Sequence, residues 1–229
     1  MRADHEMTLD TKCYTLGGQE RNKADWASMP DTCFKLMSDN IGYLYVGSIK
    51  KELLPIIFER FKATKGLIVD LRNYPSEFVP YVLGDYLYPQ ATPFVKFLKP
   101  DQKYPGLFQW TNDSKTGKEN PDYYKGKITI LVNEQTQSQA EFTTMAIRKA
   151  PKAVVIGSQT AGADGNVSAF TFPGNYSSYF SALGVYYPNG AETQRIGIIP
   201  DIEVKPTIYG IKQGRDEVLE KAIEWINKS

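Results

Sequence analysis

The sequence is poor in the side chains that bind metals and in the one that most often serves as a catalytic base. It contains one histidine, His5, and two cysteines, Cys13 and Cys33. A zinc site built from the usual histidine and cysteine ligands cannot be assembled from so few side chains. A serine–histidine–aspartate triad within this chain would have to use His5. We therefore predict no metal and no cofactor.

An excess of charge of one sign and long apolar segments are also missing. Lys and Arg number 27 and Asp and Glu number 26, which leaves a net charge of +1. Such a balance gives no bulk field that favours nucleic acid or an anionic membrane. The longest apolar stretches, such as residues 53–58, are far shorter than the roughly 20 residues of a membrane-spanning helix. Since 41% of the residues are hydrophobic, the chain is predicted to fold around a core.

The cysteines and the N-terminus say little about the cellular compartment. Cys13 and Cys33 could form a disulfide where thiols are oxidised, or stay reduced and inert. One pair is too few for a disulfide framework. Residues 1–6 include no apolar segment behind a basic start, so no signal peptide is predicted there.

The pattern of apolar residues changes near residue 40. Residues 1–38 are polar and irregular, and we interpret them as a connector or as the tail of an upstream module. Beyond them the predicted strands are 41–46, 66–71, 127–132 and 153–156, and the predicted helices are 50–62, 78–87, 137–149 and 213–226. Strands joined through helices by short connections form crossovers. The predicted fold is therefore α/β, with helices covering a largely parallel sheet.

Three segments have a different composition. Residues 99–126 are rich in proline, glycine and charge with interleaved aromatics, which predicts a packed surface excursion; a lid over a site is the alternative. After Gly162, a hairpin with strands over 168–172 and 178–187 is predicted. Residues 197–204 are expected to close the core.

The junction between the strand 127–132 and the following helix is the most informative point for chemistry. A polar turn places Ser138 at the start of the helix. The N–H groups and the positive dipole end there would stabilise an oxyanion beside a serine nucleophile. The structural alternative is a cap, because Thr136 or Ser138 could cap the helix and Ser138 with Glu141 forms a capping-box pattern. Taken alone, the residues favour the cap.

Five short segments follow one another in a fixed order. They are IGYL (41–44), GLIVDLRN (66–73), LVNE-x-x-x-S-x-AE (131–141), VIGSQTAG (155–162) and GI-x-PDI (197–202). Together they resemble the carboxyl-terminal processing peptidases, that is, the tail-specific serine proteases and their tricorn-core relatives. The resemblance covers about residues 40–205. It implies a ClpP/crotonase-like fold, a spiral of ββα units, with Ser138 as the nucleophile.

The resemblance also implies a substrate and a setting. It implies a serine endopeptidase that cleaves extended protein substrates, so the implied partner is a peptide or protein. A PDZ-like module commonly precedes such a core, which would make residues 1–38 its tail and residues 39–229 the catalytic core. An extracytoplasmic location, periplasmic or in the cell envelope, is implied as well. The sequence gives no indication of the oligomeric state.

The general base departs from the family pattern. The processing proteases place a catalytic lysine directly after Thr-x-Gly, but residues 160–162 are followed here by Ala163 and Asp164. Lys149 follows Ser138 by 11 positions, roughly 16 Å along a helix at 1.5 Å per residue. A serine–lysine dyad is therefore not expected in this chain.

In tricorn-like members the base is a histidine from sequence before the PDZ module. By resemblance, the base is expected outside these 229 residues, with His5 as the sole internal candidate. A serine without a base is a weak nucleophile at neutral pH. Gln194 stands where tricorn-like sequences carry an acidic partner. It could orient an imidazole but cannot stabilise imidazolium as a carboxylate does, and an ordinary turn residue is the alternative.

The oxyanion loop departs from the pattern too. Family members carry two glycines after Asp-Leu-Arg-x-Asn, whereas this chain continues with Tyr-Pro-Ser. Its proline has no N–H to donate. The donors are then expected to be the N–H of Gln139 and one from Tyr74 or Ser76. Asp70 and Arg72, just before this loop, are expected to hold it by pairing with each other.

Two other functions are compatible with these residues. One is a catalytically degenerate module that holds peptides without cutting them, which the missing base and the altered glycine loop favour. The other is a crotonase-like acyl-CoA enzyme, because the fold is shared. The surroundings of Ser138 and the absence of a basic nucleotide-binding stretch argue against the acyl-CoA enzyme.

Overall fold

This computed structural model describes residues 32–228, which form twelve strands and five α-helices. The strands are β1 (Phe34–Met37), β2 (Ile41–Tyr45), β3 (Gly66–Asp70), β4 (Thr92–Pro100), β5 (Phe108–Trp110), β6 (Ser114–Thr116), β7 (Lys127–Val132), β8 (Ala153–Gly157), β9 (Val167–Phe172), β10 (Tyr176–Ser181), β11 (Gly184–Tyr186) and β12 (Ile202–Glu203). The helices are α1 (Leu54–Phe61), α2 (Pro80–Leu87), α3 (Gln139–Ile147), α4 (Ile208–Lys212) and α5 (Glu217–Asn227).

Six of the strands form the main sheet, in the order β1-β2-β3-β7-β8-β12. Within this sheet, the neighbouring pairs β2–β3, β3–β7, β7–β8 and β8–β12 are parallel, and β1 pairs antiparallel with β2. The connections β3 to β7 and β7 to β8 place parallel strands side by side, as crossover connections require. The predicted α/β fold with a largely parallel sheet is confirmed.

Helices cover both faces of this sheet. On one face, α5 presents Val218 and Ile226 to Ile68 and Leu131. The larger apolar cluster, which includes residues of α1, α2 and α3, covers the other face. All five residues of β3 are buried, as expected for a parallel strand in contact with helices on both sides.

The predicted helices are confirmed with shorter bounds. The first begins at Leu54 instead of residue 50, and residues 51–53 form a 3₁₀ turn. Pro55 lies in the first turn of α1, where its missing N–H costs no hydrogen bond. The last helix begins at Glu217, where the Asp216 side chain accepts a hydrogen bond from the Leu219 N–H at 3.0 Å.

A second sheet contains three strands that the sequence pattern did not predict, β4, β5 and β6. Strand β4 pairs antiparallel with β5, β6 and β11. The irregular excursion predicted over residues 99–126 is therefore wrong in part, because β5 and β6 lie in it. The single strand predicted over 178–187 is also wrong. The chain leaves β10 at Ser181 and pairs with β4 from Gly184 onwards.

The hairpin of β9 and β10 is confirmed, and it leaves aromatic rings exposed. Its strands pair from Val167 opposite Ser181 to Phe172 opposite Tyr176. Gly174 and Asn175 in the turn have φ values of 91° and 65°, which a tight hairpin turn demands.

Some sequence expectations fall outside the described residues. His5, Cys13 and residues 1–31 lie there, so the Cys13–Cys33 disulfide and the role of His5 stay predictions; Cys33 itself is buried. Between residues 32 and 228, no helix has the length and apolar content needed to cross a bilayer. The same residues hold no group of three or more His, Cys, Asp or Glu side chains that could bind a metal ion.

Candidate active site

Ser138 lies on a strained turn between β7 and α3. Its backbone has φ 51° and ψ −118°, a conformation that glycine adopts readily and that a Cβ disfavours. Strain of this kind costs about 1–3 kcal/mol and persists only where the surroundings impose it. An ordinary N-cap residue has its backbone in the β region. Hydrolases, by contrast, use a strained strand-to-helix turn to expose a nucleophilic serine.

The residues before Ser138 hold this turn from within. The buried Thr136 hydroxyl donates a hydrogen bond to the carbonyl oxygen of Leu71 at 2.9 Å. The same hydroxyl accepts one from the Asn133 N–H at 3.0 Å, and the Thr136 carbonyl accepts one from the Ala161 N–H at 3.0 Å. Thr136 therefore anchors the turn to β3 and to the segment after β8 and does not cap the helix.

Glu141 joins the turn to the segment after β8. Its buried carboxylate accepts a hydrogen bond from the Ser138 N–H at 3.0 Å, which confirms its part in the predicted capping box. It also accepts hydrogen bonds from the Thr160 hydroxyl, from the Gly162 N–H at 2.7 Å and from the Ala163 N–H at 2.9 Å. Four donors thus satisfy a charge that would otherwise be costly to bury.

Asp164 is a second buried carboxyl in the same segment, and it is incompletely satisfied. One oxygen accepts a hydrogen bond from the Gly165 N–H at 2.7 Å, and Oδ2 has no partner among residues 32–228. Burial raises the pKa of Asp164 to about 7, against the lowering effect of the Gly165 hydrogen bond, and the charge of Glu141 raises it further. Asp164 is thus a group that titrates near neutral pH beside the candidate nucleophile.

The loop after β3 lies against the start of α3. The Gln139 side chain donates a hydrogen bond to the Glu77 carbonyl at 2.6 Å. Ser76 faces away, because its N–H donates to the Val46 carbonyl at 3.0 Å and its hydroxyl to the Ile49 carbonyl at 2.6 Å.

Two backbone donors therefore remain from the predicted oxyanion groups. Within residues 32–228, neither the N–H of Tyr74 nor that of Gln139 is engaged in a hydrogen bond. Tyr74 and Gln139 line the same cavity as Ser138. Neither N–H is therefore committed to a protein acceptor among the described residues.

Arg72 fixes the beginning of that loop. It donates two hydrogen bonds to the buried Asp70, at 3.0 and 2.6 Å, and two to Asp216, both at 2.8 Å. The predicted pairing of Asp70 with Arg72 is confirmed. Asp216 also caps α5, so this ion pair connects the end of β3 to the helix on the far face of the sheet.

Gln194 has its whole amide group engaged with the backbone. Its Nε2 donates to the carbonyls of Asp164 and Leu183 at 2.9 and 3.0 Å, and its Oε1 accepts from the Val185 N–H at 3.2 Å. These bonds join β11 to the loop that contains Asp164. In this arrangement the Gln194 side chain supports the cavity wall, and the orientation of an imidazole by Gln194 stays a prediction.

Ser138 opens into a cavity of about 670 Å³. Its lining residues are Tyr74, Phe78, Tyr81, Phe97, Lys99, Ser138, Gln139, Phe142, Asp164, Gly165, Asn166, Val167, Leu183 and Val185. A second cavity of the same volume shares Asp164 and Leu183 with it and is also lined by Ala163 and Gln194. The two adjoining cavities together form one cleft beside Ser138.

The candidate bases are placed as follows. Ala163 occupies the position at which the processing proteases carry their catalytic lysine, and it lines the second cavity. Lys149 is exposed beyond the C-terminal end of α3, and His5 lies outside the described residues. Lys99, in β4, lines the Ser138 cavity. The sequence pattern gave no signal for Lys99 or for Phe142, because β4 was not predicted and an apolar residue in a predicted helix does not by itself indicate a cavity.

Comparisons with known proteins agree with this geometry. The sequence profile described as Peptidase family S41 matches residues 40–204. A segment of 103 residues is 33% identical to a protein of Chlamydia trachomatis serovar D, covering 43% of this chain and 17% of that protein. The matched segment is therefore a small part of the length of that relative.

Solved structures show the same fold. A candidate peptidase from Parabacteroides merdae superposes with a TM-score of 0.73 at 25% identity, over 85% of this chain and 64% of that one. Mature CPAF in complex with lactacystin superposes with a TM-score of 0.66 at 18% identity, over 81% of this chain and 51% of that one. Since the family profile spans more than half of the residues, the resemblance is confirmed, and this chain belongs to Peptidase family S41, a family of serine-type proteases.

Proposed function

We propose that this chain is the catalytic core of a serine endopeptidase of the tail-specific, tricorn-like type, which hydrolyses peptide bonds in extended protein substrates. The observation that carries the proposal is the strained backbone of Ser138, with φ at 51° on a strand-to-helix turn. Such a turn is costly for a serine that only caps a helix. It is the arrangement that presents a hydroxyl to a substrate.

In the proposed reaction, the Ser138 hydroxyl oxygen attacks the scissile carbonyl carbon while a base removes its proton. The carbonyl oxygen becomes an oxyanion, which the N–H groups of Tyr74 and Gln139 stabilise by hydrogen bonds. The base then returns the proton to the leaving amine as the C–N bond breaks. Water hydrolyses the resulting acyl ester by the same steps and restores Ser138.

We place the general base outside residues 32–228. The sequence has no histidine in that range. Lys99 is exposed, and the unpartnered oxygen of Asp164 accepts no hydrogen bond from the Ser138 hydroxyl. The match to a small part of a longer relative supports a general base supplied by residues of a longer natural protein. Within this sequence, His5 is the candidate. An upstream PDZ-like module and an extracytoplasmic location belong to the same proposal.

The test is active-site labelling of the natural full-length protein with a fluorophosphonate. We expect one labelled serine, Ser138, identified by mass spectrometry of the digested protein. Ser138→Ala should abolish labelling and casein hydrolysis. Ser177→Ala removes an exposed hydroxyl on β10 that lines neither cavity, and this control should leave both unchanged. Label on another serine, or label retained in Ser138→Ala, would contradict the proposal.

The second candidate function is a peptide-binding module without catalysis. It is favoured by the amide of Gln194, which is engaged entirely with backbone groups where tricorn-like sequences carry an acidic partner. This alternative predicts that the full-length protein binds peptides but that Ser138 reacts with no fluorophosphonate.

A further inference from the structure

Aromatic rings surround the cavity next to Ser138. Phe142 forms its floor, and the ring centroids of Phe78 and Phe97 lie 6.0 and 6.2 Å from that of Phe142, in stacked arrangements. Tyr81 packs edge-on against Phe142 at 6.3 Å. Phe94 supports the floor from behind at 5.2 Å. The cavity wall is therefore a rigid, packed aromatic surface.

Three rings of this wall are left uncovered on the cavity side. Phe78 and Tyr74 are each 48% exposed and Tyr81 is 39% exposed, although all three line one concavity. A single exposed aromatic ring needs no explanation, whereas a contiguous apolar surface marks a binding site. Water is a poor partner for such a surface, and an apolar side chain would be stabilised there by burial and by ring contacts.

The wall is directly linked to the candidate nucleophile. Phe142 lies in the first turn of α3, four residues after Ser138, which immediately precedes the helix. Both line the same cavity. A substrate carbonyl at the Ser138 hydroxyl therefore brings a neighbouring substrate side chain against the ring of Phe142.

The charged groups of the wall select against basic side chains. Among the lining residues, Lys99 is the one cation and Asp164 the one carboxyl. Lys99 would repel a lysine or arginine side chain. The Asp164 carboxyl is buried, and burial raises its pKa to about 7. A buried carboxyl of this kind differs from the free carboxylate that a trypsin-like pocket offers to a cation.

We propose that this cavity is a specificity subsite that accepts an aromatic or large aliphatic side chain of the substrate, next to the scissile bond, and that it rejects lysine and arginine. The subsite rests on the proposed peptidase function and adds the class of substrate to it. A volume of about 670 Å³ lies within the range of ligand pockets and accommodates one large side chain together with its backbone.

The experiment measures binding without turnover. Fluorescent pentapeptides of the form Ala-Ala-Xaa-Ala-Ala, blocked at both ends, are titrated into the Ser138→Ala protein, with Xaa as Phe, Leu, Ala or Lys. We expect the Phe and Leu peptides to bind about tenfold more tightly than the Ala peptide. The Lys peptide should bind no more tightly than the Ala peptide. Adding Phe78→Ala should reduce the preference for Phe to less than about threefold.

The control is Tyr209→Ala, which removes a more exposed ring on α4 outside the cavity. This variant should keep the full preference. Equal affinities for the Phe and Ala peptides, a preference that survives Phe78→Ala, or no binding of any peptide would overturn the subsite. Hydrolysis takes no part in this measurement. Failure of fluorophosphonate labelling with the aromatic preference intact would count against the peptidase and not against the subsite.

Discussion

The Glu141 carboxylate accepts a hydrogen bond from the backbone N–H of Ser138 at 3.0 Å, while the Gly162 N–H donates to its other oxygen at 2.7 Å. One buried side chain thus fixes both the candidate nucleophile and the segment after β8. The relationship explains how a serine with positive φ is maintained. The surrounding hydrogen bonds compensate for the backbone strain that the turn imposes.

Glu141→Gln should destabilise the protein and disturb Ser138. The amide replaces one carboxylate oxygen by an NH₂ group that points at donors, so at least one buried donor loses its acceptor. We expect the free energy of unfolding to fall by about 2–3 kcal/mol, measured by urea denaturation, together with slower labelling of Ser138. Glu134→Gln is the matched control, because Glu134 is exposed and accepts a side-chain hydrogen bond only from Ser158. It should change stability by less than about 0.5 kcal/mol.

Ser138→Gly should stabilise the fold relative to Ser138→Ala. Both variants remove the hydroxyl, but only glycine adopts φ 51° and ψ −118° without strain. We expect the glycine variant to be more stable by about 1 kcal/mol in urea denaturation. At Ser181, in the extended strand β10, the order should reverse, because glycine in a strand is less favourable than alanine. Equal stability of the two Ser138 variants would show that the turn is not strained.

The sequence predicted those parts of the fold that depend on local patterns. Strands β3, β7 and β8 were found because they are almost entirely apolar. Ser138 was identified as the candidate nucleophile from the family resemblance, since its place between a buried strand and a helix also fits a cap. Strand β4 was missed, since prolines near both ends and mixed polarity conceal it, and its partner β11 lies far along the chain. The break between β10 and β11 was missed for the same reason.

The missing details of the site depend on tertiary contacts. The N–H of Ser76 is lost as an oxyanion donor because the Val46 carbonyl lies beside it. Asp164 becomes a buried group only when Gln194 and β11 fold over it. The backbone angles of Ser138 follow from the hydrogen bonds of Glu141. No local spacing in the sequence carries this information.

Arg72→Met should destabilise the protein strongly. It would leave Asp70, which is 2% exposed, without its cationic partner, and it would release Asp216 at the start of α5. Loss of one partner of a buried ion pair costs about 3–5 kcal/mol, and we expect urea denaturation to show a loss in this range. Arg195→Met breaks the exposed pair with Glu192 and should cost less than about 0.5 kcal/mol. Similar losses in the two variants would contradict the role of Arg72.

Asp164 should make the stability of the protein fall as the pH rises. The pKa of an aspartate in the unfolded chain is about 3.9, and burial raises the pKa of Asp164 in the folded protein to about 7. Between these values the folded state binds more protons than the unfolded state, so the free energy of unfolding decreases from about pH 4 to about pH 7. The loss attributable to Asp164 is at most about 4 kcal/mol.

Asp164→Asn removes this titration and keeps an oxygen that can accept the Gly165 hydrogen bond. The variant should be more stable than the natural protein at about pH 8 and show a flatter stability profile from about pH 4 to about pH 8, measured by urea denaturation. Glu141, the other carboxylate that acts on Asp164, stays in place in both proteins, so the difference between the two profiles isolates Asp164. The control Asp122→Asn changes an exposed side chain and should leave the profile unaltered. If the natural protein and Asp164→Asn instead have parallel stability profiles over this pH range, Asp164 is ionised in the folded state. Its unpartnered oxygen is then solvated by water from the cleft.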